Sequence, residues 1–474
     1  MRIPETTRWR DFSGGTVQAV SSDIKIPNSI PFSLNLLMDK VLGEAVSRQG
    51  TNIVGAQLSA GANCQGIFQH LDSNSANNVL FAGFNGNIYD VIAGTVAVSG
   101  LSTTAKMHFA TFLNTTIMTN GVAGQVRSYT AAGGWVSTGG VLDVGNIPSG
   151  ADNIIEFKDR MYASVTDRLY YTNTPTAGSV SWTASGSGSL LVESEDGGGT
   201  IEGLNKVPGY ITIFKKRSLK RWNFDSTFPE DLVNIGTNSQ ESIVRARGKN
   251  YFFFNGNFYE TQGGYPVKIS RPIQRICDGI ASSFYANVNG WSDNTDIYFA
   301  VGTVTINFDR GFTETYTNCC LRYNIDSQIW VLLRYAHNFR ALGQYISSND
   351  TLLVGGDENG QILQLNTLNT DYSGNAIVWI LQSPEFDFKF REKKKTIFEK
   401  IYVHSDITSG AELQTRLDYK NWESIGSLKD IVSEVKIAPL LANVFEFRLV
   451  DSITGEQVKL RGMDFPAVEV HETS

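Results

Sequence analysis

One phrase recurs along this chain of 474 residues. A short β-rich run reaches a Gly, Asn or Asp turn, and an aromatic or Ile-rich run then leads to the next turn. It reads VLFAGFNGNIYDV at Val79–Val91 and KDRMYASVTDRLYYTN at Lys158–Asn173. It returns as KNYFFFNGNFYETQGG at Lys249–Gly264 and DTLLVGGDENGQILQLN at Asp350–Asn366. Aromatic and β-branched residues suit a pleated, half-buried surface, and Asn-Gly pairs make tight hairpin turns. Hairpins spaced by about 40–55 residues match the length of a four-stranded propeller blade. A ring of such blades gives every small sheet two neighbours and leaves only short edges.

The expected fold class is therefore all-β: a β-propeller with an extended N-terminal arm and a C-terminal β-sandwich or barrel-like module. Candidate blades span 61–105, 106–150, 151–198, 199–240, 241–310 and 311–370. The expected count is six, with five or seven also compatible. The fifth span is overlong and suggests an insertion near Asn287–Thr295. Residues 1–60 form the arm, broken by Pro4, Pro27 and Pro31. Within it, Pro31–Gly50 offers a short helix candidate, with Leu34, Leu37, Met38, Val41 and Leu42 at 3/4 spacing, or an extended alternative. From 371 to 474 the alternation lengthens, with Phe398, Ile401 and Val403, and Phe445, Phe447 and Leu449, near period two.

Charged residues make up 18% of the chain, and the net charge is -7 with a pI near 5.4. The densest basic run, Lys393–Lys395, is too short to indicate a nucleic-acid surface. The cysteines at 64, 277, 319 and 320 include no Cys-x-x-Cys pair, which argues against structural zinc. Adjacent Cys319 and Cys320 in a strand would point to opposite faces. The N-terminus lacks the apolar core of a signal peptide, and no run of 18 apolar residues exists. Synthesis in a cytoplasm and no membrane insertion are expected.

The chain shows no catalytic motif. The histidines at 70, 108, 337, 404 and 471 form no ligand pair, and Gly-x-Ser-x-Gly and Walker patterns are missing. ESEDGGG at Glu193–Gly199 lacks a full calcium-loop pattern. The carboxylate pairs Glu385/Asp387 and Glu193/Glu195 sit near turns, where solvation explains them. Trp135, Trp182, Trp222 and Trp330 each fall near the end of a strand pair, which suits packing between blades. No catalytic residue, cofactor or metal is assigned.

FSGG at Phe12–Gly15, a proline-rich arm, SRQG at Ser47–Gly50 and the β repeats resemble a class of tailed-bacteriophage virion proteins. Arg247–Ile273, Leu321–Leu333 and Ser383–Val403 resemble their mid-chain blade, the following strand pair and their C-terminal module. The resemblance implies a structural tail component of short-tailed phages, a nozzle or hub. Such a subunit would join a hexameric ring below the portal and adaptor, continue the channel through which genomic DNA passes, and anchor fibres or spikes. It would reside in the virion tail. On that reading Arg8, Trp9, Arg10 and Phe12 are the assembly-interface candidates, since Trp and Arg are frequent at interfaces; the alternative is that they pack on their own propeller. A carbohydrate-binding or polysaccharide-degrading propeller at a tail tip is the second functional expectation. A scaffold with a small-partner site at the propeller mouth is the third.

Overall fold

Two-residue turns with both residues at positive φ build the hairpins. Asn85–Gly86 (φ 48° and 72°) joins Val79–Phe84 to Asn87–Asp90, and Asn255–Gly256 (φ 45° and 77°) joins Lys249–Phe254 to Asn257–Thr261. Their backbone twist matches that of the flanking strands. The computed structural model describes residues 2–3, 7–17, 29–38, 43–193, 199–224, 226, 228–308, 312–347, 350–368, 370–386, 394–397, 400–406, 410–428, 431–453, 457–465 and 468–471. Pro4, Pro27, Val41, Leu42, Glu195, Asp387, Lys393 and Phe398 lie outside the described residues.

Five four-stranded antiparallel sheets follow one another, over 64–98, 108–136, 154–191, 201–233 and 244–268. A sixth blade consists of Asn289–Ser292, Asp296–Asn307, Thr313–Asn324 and Trp330–Arg334. The seventh takes Ala341–Ser347, Asp350–Gly356 and Ile362–Leu365 from late in the chain, and Thr51–Ile53 from the arm as its outer strand. The first strand is the inner one in blades one to six, and Ala341–Ser347 is the inner strand of blade seven. Cys64–His70 touches both His108–Phe112 of blade two and Ala341–Ser347 of blade seven, so the ring is closed.

Aromatic side chains fill the wedges between blades. Trp135 of blade two meets Phe81 of blade one at 5.1 Å between ring centroids. Trp222 of blade four packs against Tyr162 of blade three at 6.1 Å, and Trp330 of blade six against Phe258 of blade five at 5.2 Å. Offset and edge-on contacts of this kind add to the burial of apolar area.

The blade count corrects the expected six. The overlong candidate 241–310 contains all of blade five and the first two strands of blade six. It looked like one unit for two reasons. The outer strand of blade five, Val267–Lys268, is only 2 residues long, and helical turns at Arg271–Ile273, Gln274–Asp278 and Ser282–Asn287 precede the next inner strand. The presumed insertion near Asn287–Thr295 contains that inner strand.

Of the two readings of Pro31–Gly50, the extended one holds and the helix does not. Pro31–Gly50 contributes three short strands, Phe32–Leu34, Leu36–Met38 and Ala45–Ser47. Asn35 at φ 58° and Gly43 at φ 65° are incompatible with a continuing helix. Each strand instead finds an open sheet edge. Phe32–Leu34 runs parallel to Trp330–Arg334 and antiparallel to Ile377–Gln382. It thereby joins blade six to the C-terminal strands in one nine-stranded sheet. A second sheet, built on Val432–Lys436, Lys400–Ser405 and Lys459–Phe465, takes in Ala45–Ser47, Leu36–Met38 and Thr7–Arg10. The two sheets enclose a common core that includes Trp9, Phe12, Trp379, Phe445, Phe447 and Phe465. The C-terminal module is thus a β-sandwich completed by the arm. Cys319 and Cys320 enter different cores, as strand alternation requires.

The arm, the ring and the sandwich meet at Arg48. Its guanidinium donates to both carboxylate oxygens of Asp371, at 2.8 and 2.7 Å, and to the carbonyls of Arg334 and Gln49. Nε also donates to Asn35 Oδ1 at 2.9 Å, and the group lies 4.1 Å from the Tyr335 ring centroid. Replacing Arg48 by Met leaves Asp371 buried without its counter-charge. The expected loss is about 3–5 kcal/mol in urea unfolding, and pairing it with Asp371→Leu should recover most of it. A loss below about 1 kcal/mol, the value of a solvated pair, would contradict this account.

Candidate functional site

The segments that lead into the inner strands converge on one face of a propeller, around its axis. Here Lys106 leads into blade two, Asp152 into blade three, Glu241 into blade five and Ala286 into blade six. Blades two and five stand almost opposite in a ring of seven, so contact between their leading segments crosses the axis. Lys106 makes that contact. Its Nζ donates to Glu241 Oε2 at 2.8 Å, the Ala286 carbonyl at 2.8 Å and Ser239 Oγ at 3.3 Å. The segment carrying Lys106 is held in place by buried Gln65, whose amide donates to the carbonyls of Ser102 and Ala105. The Met107 N–H donates to the Gln65 carbonyl.

His108, the first inner residue of blade two, completes the network. Nε2 donates to Glu241 Oε1 at 2.7 Å, and Nδ1 lies 3.2 Å from Asp152 Oδ1 and 3.2 Å from the Asp152 carbonyl. Burial opposes the imidazolium charge. The hydrogen bonds and charges of Asp152 and Glu241 outweigh it and push the His108 pKa up to about 10. Glu241 is held well below the usual carboxylate range: burial works against its charge, and Lys106 and His108 prevail. Asp152 is the most open member, its side chain 45% exposed against 12% for His108 and 17% for Glu241.

This arrangement has a chemical consequence. An imidazolium donating from both nitrogens has no lone pair to accept a proton, and an ammonium with three acceptors has none with which to attack a carbonyl. Lys106, His108 and Glu241 are thus used on one another and bridge the mouth of the ring, while the Asp152 carboxylate stays partly open to solvent.

The other chemistry-bearing residues are dispersed. Nδ1 of His70 is bonded to Thr116, and His337 to Asp357 at 2.8 Å. His404 contacts Arg10 and Asp464, and His471 contacts Thr396. Burial pushes the thiols of Cys277 and Cys319 up to about 12, and those of Cys64 and Cys320 higher still. Glu385 accepts from the Tyr419 hydroxyl. Among the described residues no group of three or more His, Cys, Asp or Glu could hold a metal ion. No described helix is long and apolar enough to cross a membrane. A cavity of ≈ 320 Å³ at the junction of arm, ring and sandwich is walled by Arg48 and Asp371, whose charges already meet each other.

The four interface candidates occupy one strand and the turn after it. Trp9 and Phe12 are buried in the sandwich core, with ring centroids 5.1 Å apart, and Trp9 also meets Phe386. Within this chain they pack on the sandwich rather than on the propeller. Arg10 is paired with Asp464, while Arg8 is exposed on the same strand. Sequence reasoning missed Lys106 and Glu241. They are 135 residues apart, and the only signal was that each precedes the inner strand of a blade.

No known protein family and no curated protein matches the chain. Among solved structures it is similar to YCF48 from Cyanidioschyzon merolae, at 9% identity and a TM-score of 0.41, covering 67% of this chain and 98% of that one. It is also similar to YCF48 bound to D1 peptide, at 10% identity and a TM-score of 0.40, covering 68% and 98%. Neither of these two structures is titled as a virion protein, and neither links the chain to phage tails. The expected role as a tail ring component that continues a DNA channel is corrected accordingly, and the tail-tip carbohydrate alternative falls with it.

Two measurements check the site. A raised His108 pKa stabilises the fold fully below the unfolded value of about 6.5, and this contribution is lost as pH rises through about 10. The urea midpoint should therefore fall between pH 7 and 10, and His108→Gln should flatten that fall; equal slopes would contradict the assignment. A thiol reagent at pH 8 should label none of Cys64, Cys277, Cys319 or Cys320 in the native protein, and all of them in urea.

Proposed function

We propose that this protein is a non-catalytic scaffold that docks a partner on the mouth of its propeller. The observation that carries this reading is how the groups converging there are spent: Lys106 and His108 are bound to Glu241 across the axis, and Asp152 is tied to His108 beside them. A site built for acid–base or nucleophilic work keeps a proton acceptor or a lone pair free for substrate. A site built for docking needs a firm, hydrogen-bonded floor, and this network supplies one. The nine-stranded sheet through Phe32–Leu34 fixes the sandwich to the same body. A partner seated at the mouth would thus be held at a set distance from whatever the sandwich touches.

The test is site-specific photo-crosslinking in the cell of origin. A photoreactive residue at Thr104, exposed beside the mouth, is compared with one at Ala76, exposed on the opposite face where the first strand of blade one turns back. A discrete crosslinked protein from Thr104 and none from Ala76 is the expected result. Labelling from Ala76 equal to or above that from Thr104 would refute the mouth as the docking face.

A further inference from the structure

We infer that the N-terminal segment is a clasp in which closing the ring and docking the sandwich are a single event, coupled through Arg48. One end of the segment, Thr51–Ile53, supplies the outer strand of blade seven by pairing with Ile362–Leu365. The other end, Phe32–Leu34, is an interior strand with both edges occupied, by blade six on one side and Ile377–Gln382 on the other. Removing it would divide the nine-stranded sheet between ring and sandwich.

The two ends are separated by the 16 residues Asn35–Gly50, and the chain between them is pinned at several points. Asn35 Oδ1 accepts from the Arg334 N–H, and Asn35 Nδ2 donates to the Val378 carbonyl at 2.6 Å. Arg48 binds Asn35, Arg334 and Asp371 together. Gly50 approaches so closely that a Cβ there would lie 1.9 Å from the Thr370 carbonyl oxygen, which leaves no room for the segment to slide. Asp371 also accepts from the Ala336 N–H at 3.0 Å, so the same carboxylate orders the segment leading into blade seven. Pulling either end therefore strains bonds that hold the other. A rigid segment with two discrete arrangements, in or out, is the physical requirement for such coupling.

The experiment uses the full chain with a protease recognition sequence inserted after Gly61, which is exposed and where a Cβ would meet nothing within 4 Å. After cleavage the N-terminal fragment should stay bound. In graded urea, hydrogen-exchange protection of Ile362–Leu365 and of Ile377–Gln382 should disappear at one shared midpoint, together with release of the fragment. Loss of one strand's protection while the other persists would overturn the inference. Arg48→Lys keeps the charge without the two-pronged geometry, and in it the two midpoints should separate. Coincident midpoints in that variant would show that the coupling does not run through Arg48 and would equally overturn it.

Discussion

The buried guanidinium of Arg48 is the contact on which the architecture depends. Strands of three residues are too short to hold a place in a sheet unaided, yet the arm contributes several of them. Taking an arginine and an aspartate out of water is costly, and attraction offsets that cost only when geometry and further hydrogen bonds are good. Here both carboxylate oxygens, two backbone carbonyls and the Asn35 amide share the guanidinium donors. A shifted register would leave those charges buried and unmatched. The pair thus selects one threading of the arm, beyond whatever it adds to stability.

The same logic operates at the axis on a smaller scale. Lys106 and His108 bring two positive charges, Glu241 and Asp152 two negative ones, and the segments that carry them come from separate blades. Neutrality within the cluster lets it sit at the mouth of a ring whose inner strands are largely apolar. It also engages the Lys106 ammonium and the His108 imidazolium with acceptors.

The ring and the sandwich were legible in the sequence because their signals are local. Asn255–Gly256 between aromatic runs announces its hairpin, and the alternation at Phe445, Phe447 and Leu449 announces its strand. The count of blades was not legible, because blade six has two strands of 12 residues and follows helical turns, which blur the repeat. At Leu34–Met38 the sequence left a helix and an extended reading open, because apolar spacing in so short a stretch fits both, and distant partners decided it. The Lys106–Glu241 contact carries no sequence signal beyond position. The family resemblance rested on structural phrases of the same local kind. Such phrases report how strands and turns are made, and a role in a particle does not follow from them.

Closing the last blade with a strand from the N-terminal arm has a consequence for how the molecule is made. Thr51–Ile53 leaves the ribosome more than three hundred residues before its partner Ile362–Leu365, and Phe32–Leu34 waits longer for Ile377–Gln382. Contacts this far apart in sequence give a high contact order and slow folding. At about 5–20 residues per second of synthesis, the unpaired strands and the open edge of blade one are exposed for some tens of seconds. Throughout that interval the nascent chain is an incomplete ring with unpaired strand edges, the state in which aggregation competes with folding.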